Sequence, residues 1–263
     1  MTTIITGTKR KLVQPLAGIS IFATIAGAGI ATQAADAPPQ TGWESVAAAG
    51  ATLSRGNSQN FLATVSLDTV RKWTSDEMRF GASGGYGKTT QRNPGAPSTE
   101  LKNSDYLKGY GQWNHLFSER LYAGLRLAVE HDDIADLDYR VTLSPLAGYY
   151  FIKKSNTSLS AEVGPSLVTE KQGGEDRTYM AARIAERYEY KFANDSRIWQ
   201  TAEWLPQVDD FENWVLNFEA GIAAPLAKGL DVRLVVQDTY DNQPAAGRLK
   251  NDLKLIAGIG YKF

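Results

Sequence analysis

The chain has 263 residues, a formal net charge of -1 and no cysteine, which excludes a disulfide framework, a thiol nucleophile and a cysteine-ligated zinc site. No basic surplus exists to attract nucleic acid, so that partner class is excluded as well. A 10% aromatic content with 24 glycines suits an all-β protein, either a membrane barrel or a lectin-like sandwich.

The first 34 residues contain no Asp or Glu. They run from Lys9, Arg10 and Lys11 into an apolar and small-residue stretch over 12–30, and Thr32-Gln33-Ala34 then places small side chains at the positions a signal peptidase reads. Residues 1–34 therefore read as a secretory signal peptide and 35–42 as a short periplasmic leader, leaving 43–263 as the folded domain. A retained anchor would need about 20 apolar residues and no cleavage site. Removing Lys9, Arg10 and Lys11 from the formal -1 leaves the mature chain at -4.

No later stretch is long and apolar enough for a transmembrane helix. A strand with one lipid face and one polar face averages to near-neutral hydropathy, so this does not argue against a barrel. Turn chemistry divides the mature chain into strands at 43–55, 60–73, 77–89, 102–116, 120–131, 138–152, 157–169, 178–192, 197–207, 212–225, 229–241 and 250–263. Short turns near residues 74, 118, 154, 194 and 228 alternate with longer connections at 90–101, 132–137, 171–177 and 242–249. The connections at 56–59 and around Asp209 are themselves short. An even strand count with alternating loop lengths is the plan of a twelve-stranded antiparallel transmembrane barrel.

Side-chain parity assigns the faces. Leu121, Leu125 and Leu127, Val141 and Leu143, Val163 and Leu167, Leu216 and Phe218, and Val232 and Leu234 read as the lipid face. Arg126, Glu130, Arg140, Glu162, Glu219 and Arg233 have the opposite parity and read as lumen-lining charges. Charges of both signs in a confined space should pair and leave at most a narrow path. The eighth strand breaks the pattern, because Glu186 shares parity with Met180, Ile184, Tyr188 and Phe192; a bulge or shifted register is expected there. Trp73, Phe117, Phe151, Tyr190 and Phe192 gather at one set of strand ends, and Phe61, Tyr106, Tyr139, Tyr179, Trp214 and Tyr240 at the other, as interfacial girdles.

The last strand alternates Leu253, Leu255, Ala257, Ile259, Tyr261 and Phe263 against Lys254, Gly258, Gly260 and Lys262. Its aromatic end resembles the C-terminal strand by which Gram-negative outer-membrane barrels are recognised for insertion. That resemblance makes Tyr261 and Phe263 an assembly signal, and names the barrel assembly machinery, with outer-membrane lipids and lipopolysaccharide, as partners. At Leu53-Ser54-Arg55-Gly56-Asn57-Ser58, and again at Tyr240-Asp241, Pro244, Asp252 and Tyr261-Lys262-Phe263, the chain resembles the bacterial family of salt-induced outer membrane proteins, a domain of unknown function. The resemblance implies an outer-membrane location, a link to salt or envelope stress, and no catalytic residues.

Enzymatic chemistry finds little to work with. Only His115 and His131 could act as a base, and they fall at opposite ends of adjacent strands. His131, beside Glu130, Asp132 and Asp133, could in principle serve a rim-active hydrolase. The run Asp132, Asp133, Asp136 and Asp138 lacks the mid-loop Gly and closing Glu of a calcium loop, and reads as a solvated acidic connection. The expectation is a non-enzymatic protein with no cofactor and no metal, and a narrow channel for small hydrophilic solutes as the alternative.

Overall fold

The computed structural model describes residues 42–54, 58–91 and 99–263. The expected signal peptide, the leader up to 41, the Gly56-Asn57 hairpin tip and most of the 90–101 connection lie outside the described residues.

Twelve strands follow in order: β1 (Trp43–Ser54), β2 (Ser58–Lys72), β3 (Asp76–Gln91), β4 (Thr99–Leu116), β5 (Leu121–Asp132), β6 (Leu137–Lys153), β7 (Thr157–Gln172), β8 (Glu175–Lys191), β9 (Arg197–Pro206), β10 (Trp214–Ala227), β11 (Leu230–Asp241) and β12 (Asn251–Lys262). Each pairs antiparallel with its sequence neighbours, and β1 with β12, so the sheet closes and leaves no edge. The closing ladder is the shortest: Val46 to Gly50 pair with Lys262 to Gly258, and mutual backbone hydrogen bonds between Ser45 and Phe263 of 3.0 Å extend it.

Two connections differ from expectation. The loop expected at 171–177 is a two-residue turn, Gly173-Gly174, because Glu170 pairs with Arg177 and Lys171 with Asp176 almost to the tip. Both glycines hold positive φ, 60° and 80°, which other residues adopt only with strain. In the other direction, the connection around Asp209 spans 207–213, and β10 starts only at Trp214. Asp210 holds it by accepting from the Glu212 N–H and from Gln243 Nε2.

The outer face carries an apolar belt exposed on every side: Leu67, Leu125, Leu127, Val163, Ile184 and Leu255 are among its members. A soluble protein does not expose apolar surface of this extent, whereas a hydrocarbon solvent requires it. Aromatic side chains rim the belt. Trp43, Trp73, Trp113, Phe117, Phe151 and Phe192 lie towards the end that holds both strand termini, and Phe61, Tyr139, Trp204, Trp214 and Tyr240 towards the other. Tyr106 and Tyr179, expected in the second girdle, instead share parity with the lumen residues Gln112 and Arg183 and point inward; Tyr106 is buried beneath Lys254, whose Nζ lies 4.0 Å from the ring centroid.

The lumen is packed most densely along β4 to β8. There Asn114, Tyr122, Ser144, Ser166, Val168 and Glu170 are almost completely buried, and Tyr122, Leu146 and Tyr150 form a small apolar cluster within the barrel. Missing side chains make this packing possible. A Cβ at Gly148 would run into the Tyr122 ring, and one at Gly85 into the Tyr106 ring. Gly148→Val is therefore expected to cost about 1–3 kcal/mol as Tyr122 is driven out of its socket. Urea unfolding in lipid vesicles would measure it, and an unchanged midpoint would mean that the ring can move aside freely.

Candidate functional site: the lumen

Inward parity on β2 to β12 places charged and polar side chains around the interior of the barrel. A cavity of about 390 Å³ remains in the lumen, lined by Asp68, Arg187, Arg197, Trp199, Glu219 and Arg233 and also by Glu162 and Arg183 of the densely packed strands. The six charges singled out by parity all face inward, but none pairs with another of the six. Arg126 lies 3.7 Å from Glu203 and stacks on Tyr110, with its guanidinium carbon 4.0 Å from the ring centroid. Glu130 meets Lys108 at 3.4 Å. Arg140 donates to Glu170 at 2.5 Å, and Arg233 grips Asp231 with Nε and Nη2 at 2.8 and 2.7 Å. Glu162 accepts from Arg183 at 2.8 Å, and also from Gln112 and Tyr122 at 2.7 and 2.9 Å. Among the described residues Glu219 has only neutral donors, Trp199 at 2.7 Å and Gln237 at 2.9 Å.

Three networks result. Near the end that holds the termini, Glu77 pairs with Arg79 and accepts from the Tyr150 hydroxyl at 2.9 Å. At mid-height, Arg183 bridges Glu162 and Glu203. Towards the far end, Glu170 receives both Arg140 and Arg177, and Gln172 donates onward to Asp241 at 3.0 Å. Bidentate and bridging guanidinium contacts suit a confined interior because each planar fork can satisfy two acceptors at fixed spacing. The sequence reading missed Glu77, Arg79, Glu170, Arg183 and Glu203. Arg183 and Arg187 share inward parity on β8, and only the doubt over Glu186 kept that strand from being read.

Two cationic side chains lining the cavity stand apart. Arg187 and Arg197 form no ion pair among the described residues, although Arg197 stacks on Trp199 with its guanidinium carbon 5.1 Å from the ring centroid. At the far mouth, the 242–250 connection folds over the barrel. Pro244, Arg248 and Leu249 lie opposite Lys108, Glu130 and Arg140 around a space of only about 40 Å³.

The histidines occupy opposite rims. His115 contacts Asp76 at 3.1 Å; His131 contacts the Asp138 carbonyl at 2.9 Å and Asp133 at 3.2 Å, with no serine hydroxyl among its partners. The acidic run is occupied by local contacts. Asp132 accepts from the Ile134 and Ala135 N–H groups, and a hydrogen bond from Lys102 at 2.8 Å holds the Asp133 carboxyl below the usual range. Among the described residues no group of three His, Asp or Glu is arranged to hold a metal ion.

Tyr261 and Phe263 sit exposed at the terminus-bearing end of the outer face, their rings stacked with centroids 6.0 Å apart.

Several solved structures are similar to the barrel. The NanC porin superposes with a TM-score of 0.50 at 8% identity, covering 83% of this chain and all 100% of that one. The KdgM porin gives 0.43 at 10% identity, covering 83% of this chain and 99% of that one. The translocator domain of the autotransporter NalP from Neisseria meningitidis gives 0.46 at 13% identity, covering 85% and 89%. At such identities the likeness is one of fold alone, a closed antiparallel β-barrel, and it rests on the NanC porin. No curated protein matches the chain. The family model described as "Protein of unknown function, DUF481" matches residues 47–263, which spans the barrel from β1 to the last residue. The chain belongs to the DUF481 family.

Proposed function

We propose that the protein is a non-enzymatic outer-membrane barrel whose partly filled lumen gives small hydrophilic solutes a narrow route across the envelope. The observation that carries this reading is the cavity of about 390 Å³ into which Arg187 and Arg197 point without carboxylate partners. Paired charges around a pore cancel and mainly narrow it, whereas unpaired ones set the sign of the potential that a passing ion meets. Asp68 and Glu219, which also line the cavity and have no cationic partner among the described residues, oppose Arg187 and Arg197, so the free charges of the two signs are close to balanced and the two arginines form a local anion-attracting patch.

Planar-bilayer recording across a salt gradient tests the proposal. The expected result is a small single-channel conductance with weak selectivity. Replacing both Arg187 and Arg197 with Ala should raise the conductance and move the reversal potential towards cation preference. A silent barrel would overturn the channel reading, and a large unselective conductance would overturn the claim that the lumen is narrow. The link to salt or envelope stress rests on the family resemblance alone; its test is whether a deletion strain loses fitness at high osmolarity.

A further inference from the structure

The eighth strand contains no bulge. β7 and β8 pair without interruption from Thr157↔Tyr190 to Gln172↔Glu175, so the expectation of a shifted register at Glu186 is corrected and its carboxylate does project outward. It lies directly opposite Ala202 of β9, between Ile184 and Tyr188 on its own strand. Gln200, also outward-facing and placed between Ile198 and Ala202, donates from Nε2 to Glu186 Oε1 at 2.6 Å. Trp204 on one side and Tyr188 and Tyr190 on the other put the pair inside the apolar belt and not at its rim.

A carboxylate on the hydrocarbon face is costly, and one hydrogen bond satisfies only part of it. Among the described residues, Glu186 Oε2, Gln200 Oε1 and the second Gln200 N–H have no partner. Among the positions paired directly with Glu186 and Gln200, Ala161 of β7, Ala202 of β9 and Ala220 of β10 are small, so the polar pair lies in a gap between the larger Ile184, Tyr188 and Ile198 that another barrel can approach.

We propose that this face binds a second copy of the same chain through a two-fold axis along the membrane normal. The two copies then share one orientation in the membrane, and the polar pair of each meets that of the other at the same depth. Each Gln200 amide donates its free N–H to the Glu186 Oε2 of the other copy, so the unsatisfied groups are self-complementary, as an isologous interface requires. A lipid tail has no donor to offer. A different protein would have to supply matching groups that this chain already carries.

The absence of cysteine from the 263-residue sequence makes the test direct, since one introduced cysteine is then its only thiol. Ala202→Cys in the native outer membrane is expected to form a disulfide-linked dimer on mild oxidation. Leu67→Cys, an exposed belt position on β2 across the barrel, should remain monomeric. Glu186→Leu combined with Gln200→Leu, which suits a lipid face and should still give a heat-modifiable barrel, should abolish both the Ala202→Cys cross-link and the dimer seen by sedimentation in detergent. Equal cross-linking from Ala202→Cys and Leu67→Cys would mean random collision and overturn the proposal. So would a monomer that gives no Ala202→Cys cross-link, or a dimer that survives the double leucine variant. None of these outcomes depends on whether the lumen conducts.

Discussion

Phe263→Glu is expected to cut the amount of inserted barrel several-fold, and deletion of Phe263 further still. Two effects combine. The terminal residue exchanges two backbone hydrogen bonds with Ser45 and so extends the ladder that closes the cylinder. Its ring stacks on Tyr261 at the membrane rim, where a carboxylate would face the belt that the aromatic girdle defines. Substitution keeps the backbone bonds and loses the ring, while deletion loses both. Glu212→Lys, in the exposed 207–213 connection, is the control and should insert normally. Heat-modifiable protein in isolated outer membranes provides the measurement. Equal insertion of all three variants would remove the C-terminal strand from any role in assembly.

Arg183→Leu is expected to destabilise the folded barrel by about 3–5 kcal/mol, the typical cost of breaking a buried ion pair from one side. The guanidinium is only 5% exposed and is shared by Glu203 at 2.5 Å and Glu162 at 2.8 Å. Glu162 would keep Gln112 and Tyr122, but Glu203 would keep only Arg126 at 3.7 Å. Leucine at both 183 and 203 should recover much of the loss, because replacing both partners of a buried pair is often close to neutral. Urea unfolding in lipid vesicles gives both numbers. A loss below about 1 kcal/mol for the single variant would assign Arg183 the modest value of a solvated surface pair.

Most of the architecture was legible because a barrel strand states its two faces in alternate letters. Leu121, Leu125 and Leu127 lie outside and Arg126 and Glu130 inside for a reason that needs no tertiary information. Loop lengths were less legible. Gly173 and Gly174 resemble many loop glycines, and only the pairing of Glu170 with Arg177 carries the strands up to them. The lumen networks were less legible again, because parity gives direction but not reach. It says that Glu162 points inward, yet its partner Arg183 sits on the strand whose register looked broken. Glu186 was the source of that difficulty. Its outward carboxylate violates the lipid-face pattern in fact, and strand patterns fail in this way where the neighbouring medium is something other than lipid.

The short ladder between β1 and β12 has a mechanical consequence. Five residue pairs join these strands, from Val46↔Lys262 to Gly50↔Gly258, whereas the next shortest ladder, between β8 and β9, runs over the eight positions from Ile184 to Lys191. The zipper is also poor in side-chain contact, since Ala48 faces Gly260, Gly50 faces Gly258, and Tyr261 and Ile259 meet only the methyl groups of Ala47 and Ala49. Under load the cylinder should therefore tear along this line first and peel away as a ribbon of hairpins. A cantilever pulling on the C-terminus would record a low initial rupture before the higher forces of the hairpins that follow.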